Sequence, residues 1–330
     1  MSDDYLWDGS GEPDPEVRRL ELLLGRLRHN QAAPELPELR PSEGAATEDS
    51  QSMEVSRFRL LWPGFASAAG ILLVIAGFWF AARLSRPALH VARLSGEPTI
   101  GSGRISSTGR LMRGDWLQTD GSSRARITVG EIGHVEVEPH TRIRLVESRV
   151  SEQRLALARG KMHASILAPP RIFVVETPAA VAVDLGCTYT LAVDDSGASI
   201  LEVTSGWVAL EEKGRVSVVP AGALCWTRPG VGPGTPYFKD SSAAFQAALD
   251  RFDFGGGGRD AIDVLLTESR KRDTLSLWHL LSRVDEAERI RLYERIAAFV
   301  PPPRGVTREG VLELDKKMLD YWRDELEWSW

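Results

Sequence analysis

Residues 176–193, ETPAAVAVDLGCTYTLAV, alternate apolar and polar side chains on either side of Gly186-Cys187. Alternation with period two puts one face of a run in a core and the other in water, so the stretch reads as two short β-strands joined at a glycine turn. Outward from it, HVEVEPHTRIRLVE, RLALARG, RIFVVETP, ILEVTSGWVALEEKG and VSVVPAG repeat the pattern. Gly121, Gly160, Gly197, Gly206, Gly214 and Gly222 supply turns at spacings that leave no room for crossover helices. The pattern predicts an all-β module over residues 90–228, a sandwich or a solenoid-like stack.

After the turn-rich RPGVGPGTPYF (228–238) the period lengthens. Helical patterns run over 242–252, 260–271, 274–299 and 307–327, divided by Gly255–Gly258 and Pro301–Pro303, and predict a small all-α unit over 242–330. Asp285 with Glu288 reads as a helix start of the capping-box type. Trp278, Trp322, Trp328 and Trp330 fall at spacings typical of core or rim positions.

Toward the N-terminus, residues 60–82, LLWPGFASAAGILLVIAGFWFAA, hold no charged side chain. As a helix they would reach about 34 Å at 1.5 Å per residue, enough to cross a bilayer. Trp62 and Trp79 sit near the ends and arginines flank both sides, so a transmembrane helix over 58–83 is expected in preference to a buried core helix. The flanking arginines balance, which leaves orientation to the cysteines. Cys187 and Cys225 both follow the span, as suits a C-terminal part in an oxidising compartment and an N-terminus in the cytoplasm.

The 330-residue chain has a formal charge of −6, but residues 1–57 hold 13 Asp and Glu against six Arg, and everything after them is close to neutral. Within residues 1–30, Asp14 and Pro15 mark a helix start, and Val17, Leu20, Leu23, Leu24 and Leu27 recur at helical steps to form one apolar stripe. Together with Leu6 and Trp7 this stripe suits a protein partner with a basic surface, or a small helical hairpin packing on itself. Residues 31–57, rich in Pro, Glu, Ser and Ala, read as a tether.

Chemistry is hard to place in this chain. The six histidines form no helical pair and none stands at metal-site spacing from a cysteine. DFG at 253–255 lacks the other kinase signatures and reads as a coincidence at a linker, and there is no phosphate loop or nucleophile elbow. The expectation is a protein that is not an enzyme, with no catalytic residue, no metal, no cofactor and no direct contact to nucleic acid. Cys187 and Cys225 are expected to pair as a disulfide, with two buried thiols or a reactive thiol as the alternatives.

In order, LMRGDWLQTDGSSRARITVGEIGHVEVEPHTRIRL (111–145), LALARGKMHASI (155–166), FVVETPAAVAVDLGCTYTLAV (173–193) and EVTSGWVALEEKGRVSVVPAG (202–222) resemble the landmarks of FecR-type domains. These are the iron-dicitrate-sensor-like extracytoplasmic modules of single-pass transmembrane anti-sigma regulators. Cys187 stands where the family usually has Gly-Thr. YLWDGSGEPDPEVRRLELLL (5–24) is similar to the opening of bacterial anti-sigma cytoplasmic domains, although His29 without a neighbouring cysteine implies a zinc-free version. The resemblance implies a sensor in the bacterial inner membrane that holds an extracytoplasmic-function sigma factor on the cytoplasmic side. Its other contacts would be lipid along residues 60–82 and an envelope protein or glycan at the β-module. The alternative is an envelope-anchored binding or scaffolding protein without a sigma-factor role.

Overall fold

A computed structural model describes residues 88–330. The expected arm (1–30), tether (31–57) and span (58–83), and with them Leu6, Trp7, Val17, Leu20, Leu23, Leu24 and Leu27, lie outside the described residues. Among the described residues, no helix is long and apolar enough to cross a membrane.

The β-rich part begins with β1 (Ala88–Ser95), β2 (Thr99–Ile100), β3 (Gly103–Arg104), β4 (Thr108–Met112), β5 (Trp116–Gln118), β6 (Arg124–Val129), β7 (Gly133–Val137), β8 (Arg142–Arg149) and β9 (Glu152–Ile166). It continues with β10 (Phe173–Glu176), β11 (Val181–Asp184), β12 (Thr188–Val193), β13 (Ser199–Ser205), β14 (Trp207–Glu212), β15 (Arg215–Pro220), β16 (Ala223–Arg228), β17 (Gly232–Pro233) and β18 (Tyr237–Phe238). One sheet runs β4-β1-β6-β7-β9-β12-β13-β16, with β17 and β18 both on β16. The other runs β3-β2-β5-β8-β9-β10-β11-β14-β15, and its β9–β10 pair is parallel.

The long strand β9 belongs to both sheets. Residues 152–159 pair with β8 and residues 160–165 pair with β12. The change of sheet falls at Gly160, whose φ of 91° is left-handed and whose Cβ, were there one, would sit 2.4 Å from Thr141 Cα. Ladder hydrogen bonds cannot run through such a bend, and threonine hydroxyls fill the gap. Lys161 N–H donates to Thr141 Oγ1 at 2.9 Å, and Thr141 N–H donates to Thr119 Oγ1 at 2.9 Å.

Folding β9 this way brings the apolar faces of the two sheets together. Ala125, Ile127 and Val129 of β6 alternate with exposed arginines and threonine, and they share one core with Ile143 and Leu145 of β8 and Tyr189, Leu191 and Val193 of β12. Each fully buried aliphatic side chain of this kind stabilises the fold by about 1.5–3 kcal/mol. The sequence periodicity thus resolves into paired sheets over a common core.

The helices are α1 (Ala243–Phe254), α2 (Arg259–Glu268), α3 (Thr274–Leu281), α4 (Glu286–Phe299), α5 (Arg308–Leu312) and α6 (Lys316–Leu326). The helical periods over 274–299 and 307–327 each break into two. Asp285 and Asp315 accept backbone N–H groups of the turn that follows, from Glu288 and from Lys317 and Met318, so each starts a new helix instead of continuing the old one. The helices share a second core in which Phe245, Leu249, Leu277, Leu280 and Trp322 pack with Leu224 of β16 and Tyr237 of β18. Trp328 is exposed, whereas Trp330 touches both cores and lies 6.0 Å from the Trp207 ring.

Gly160→Val is expected to lower the unfolding free energy by roughly 3 kcal/mol or more, because the new side chain collides with backbone at a bend that cannot relax. Gly114→Ala, at an equally left-handed site with open space around it, loses only about 1–2 kcal/mol. Urea denaturation followed by tryptophan fluorescence compares the two.

Candidate functional site

The strand β15 ends the second sheet, with β14 on one side and, among the described residues, no paired strand on the other. A bare strand edge presents unpaired N–H and C=O groups, and proteins cover such edges. Here the cover comes from α3 and the turn that follows it. Val218 N–H donates to His279 Nε2 at 3.0 Å, and the imidazole's other nitrogen, Nδ1, lies 2.9 Å from Leu275 O. These partners fix the tautomer, with the proton on Nδ1 and the lone pair on Nε2. Arg283 donates to Ser217 Oγ at 2.8 Å and reaches Val216 O at 3.4 Å. One imidazole and one guanidinium thus take the place of a neighbouring strand.

Behind this edge lies Asp253, whose side chain is 2% exposed. Its carboxylate accepts from Arg215 at 2.7 Å, from Thr235 N–H at 2.6 Å and from Thr235 Oγ1 at 3.1 Å, and Arg283 stands 3.4 Å away. Arg283 also donates to Thr235 Oγ1 at 2.9 Å. The cluster therefore ties four segments together: β15, the segment after β17, the last turn of α1 and the turn after α3. The DFG motif is better read in this light. Asp253 and Phe254 close α1 and do not lie in a linker, Gly255 caps the helix, and Arg228 sits over the Phe254 ring at 4.4 Å.

Burial sets the electrostatics. His279 is buried, and desolvation, helped by the Arg283 charge, pulls its pKa down to about 3, so the imidazole is neutral and free to accept from Val218. Arg283 is drawn down to about 10 by desolvation, against the opposing pull of Asp253.

The expected Cys187–Cys225 disulfide is corrected by the structure, in which both are free, buried thiols. Cys225 faces Leu201 of β13, Leu201 faces Leu191 of β12, and Cys187 precedes β12 four residues before Leu191. With strands about 4.8 Å apart and about 3.3 Å of rise per residue, the two lie on the order of 15 Å apart, beyond the roughly 7 Å that a disulfide can bridge. Each thiol is instead a hydrogen-bond donor. Cys187 Sγ donates to Asp184 Oδ2 at 2.7 Å beside Gly186 N–H on Oδ1 at 2.6 Å, and Cys225 Sγ donates to Gly234 O at 3.3 Å. Burial pushes the Cys187 thiol up, and pushes Cys225 up to about 12, so both stay protonated at neutral pH.

Across the first sheet, the outward side chains form a polar row. Arg126 donates to Glu136 at 2.6 Å, Glu138 is bonded by Arg124, and His163 Nδ1 lies 2.8 Å from Thr190 Oγ1. Among the described residues no group of three or more His, Cys, Asp or Glu side chains is arranged to hold a metal ion.

The family model described as FecR protein matches residues 115–209. The chain thus carries a FecR-type domain, running from the turn before β5 into β14, with Cys187 inside the match and Asp253, His279 and Arg283 outside it. No curated protein matches the chain in sequence. Two crystal structures, at 1.65 and 2.50 Å resolution, of a protein from Parabacteroides distasonis provisionally described as an anti-sigma factor are similar to it. Each is 15% identical, with a TM-score of 0.33 and 40% of this chain covered, and the match spans 63% and 62% of those chains.

Neutral His279 makes stability depend on pH. The unfolded chain takes up the proton near pH 6.5 and the folded chain only near 3, so the contribution is complete above 6.5 and is lost as pH falls below it. Between pH 7.5 and 5.5 the wild type is expected to lose about 1.4 kcal/mol more than His279→Gln, whose amide oxygen still accepts from Val218 and does not titrate. Urea midpoints at the two pH values measure the difference.

Proposed function

We propose that this chain is a membrane-anchored regulator that holds an extracytoplasmic-function sigma factor through its N-terminal arm and senses an envelope condition through its β-module. The FecR match over residues 115–209, set within the paired sheets, carries the reading. The charge-free run over 60–82 supports a single span, and the acidic segment 1–57 with its leucine stripe supports a basic helical partner on the other side. In this reading residues 1–30 form the arm, 31–57 the tether, 58–83 the membrane helix, 90–228 the sensing module and 242–330 the helical unit. The N-terminus is cytoplasmic, and the sealed edge of β15 is the element on which a signal would act. Contacts of the β-module to an envelope protein or glycan belong to the same proposal.

The arm's grip comes from Leu20, Leu23, Leu24 and Leu27, each contributing about 1.5–3 kcal/mol when a partner buries it. A pull-down with residues 1–57 from the native host, read by mass spectrometry, is expected to recover a sigma factor. Leu20→Asp with Leu24→Asp is expected to release it, while raised salt alone only weakens it. Recovery of no sigma factor, or recovery indifferent to the leucine substitutions, favours the envelope-scaffold alternative.

A further inference from the structure

A recess of about 720 Å³ opens beside the Asp253 cluster, between the β14–β15 turn, the glycine run after α1 and the end of α3. Its volume lies in the ordinary range for small-molecule sites. Lys213, Arg215 and Arg283 face it, along with Ser282, Gly256 and Gly257. Three cations thus line a space to which one carboxylate, Asp253, contributes. Glu212 stands 3.7 Å from Lys213 and offsets part of that charge from outside the recess.

The excess charge is held in place. Arg283 is 9% exposed, and Ser217 and Thr235 fix its guanidinium, so little ordering remains to be done when an anion arrives. Arg215 gives one nitrogen to Asp253, and its Nε is buried without a hydrogen-bond partner. A buried ion pair is balanced at one guanidinium per carboxylate. Here a second guanidinium, that of Arg215 with its side chain 28% exposed, shares the same carboxylate, so the recess holds positive charge that Asp253 does not balance and that an entering anion would meet. Desolvation is the main cause of the depressed Arg283 pKa, and the neighbouring Arg215 charge lowers it further. At the rim, Gly256 is left-handed at φ 90° with open space where a side chain would stand, so the mouth stays clear.

We propose that this recess binds a small ligand bearing an oxyanion, a phosphate or a carboxylate, with Arg215 and Lys213 as its direct contacts and Arg283 as the preorganised charge behind them. Guanidinium forks match both groups, in two parallel hydrogen bonds. The site lies outside the FecR match, and its occupancy needs no sigma factor.

The test is thermal unfolding of the purified full-length chain with inorganic phosphate in one arm and malonate in the other, each against chloride at matched ionic strength. A saturable rise in Tm with either anion is expected, and the stronger of the two assigns the ligand class. Arg215→Gln should weaken the apparent affinity at least tenfold. That variant should fold, since it leaves Arg283 and Asp253 as a matched pair. Lys213→Ala, at a side chain 79% exposed, cannot disturb the core and should weaken binding several-fold. A Tm that rises no more with phosphate or malonate than with chloride, or a rise that neither substitution reduces, overturns the proposal.

Discussion

A sheet edge that has no further strand must meet its hydrogen bonds elsewhere, and at β15 the helical unit meets them. His279 and Arg283 come from consecutive turns of chain around the end of α3 and occupy successive positions along the strand, at Val218 and at Val216 and Ser217. This arrangement explains why so polar a set of groups is buried at all. The imidazole is kept neutral by the same burial that makes its lone pair available, and the guanidinium is kept charged by a carboxylate from a third element. Remove the helices, and the second sheet would present a strand ready to pair with another chain.

The β-module has its own organising constraint in β9. One strand serves two sheets because Gly160 permits a backbone turn that a side chain would block, and Thr119 and Thr141 replace the ladder bonds lost there. The FecR match begins upstream of this bend and ends in β14, one strand short of the edge that the helices cover. The recognisable domain and the helical unit are therefore joined by β15 rather than by a free linker.

Much of this was legible in the residues. Period-two runs in HVEVEPHTRIRLVE and TYTLAV marked strands because each has one face in a shared core, and the longer period after Phe238 marked helices. What escaped was whatever depends on register. Cys187 and Cys225 share a module and similar glycine-flanked surroundings, yet two strand positions and several residues separate them, and nothing in their spacing states that. Where the FecR pattern usually has Gly-Thr, the Cys187 thiol donates to Asp184 as a hydroxyl would. Asp253 was visible only as part of a kinase-like tripeptide, since its partners Arg215 and Arg283 lie 38 and 30 residues away in sequence. The helix break at Asp285 was half legible, because an N-cap residue signals a start without saying that a preceding helix has stopped, whereas the break at Asp315 was not read from the sequence.

The most direct measurement is amide hydrogen exchange at Val218. If His279 seals the edge, this amide exchanges as slowly as that of Leu210, which lies within the ladder between β11 and β15. Exchange at the rate of an exposed turn amide such as Gly214 would contradict the seal and detach the helical unit from the β-module.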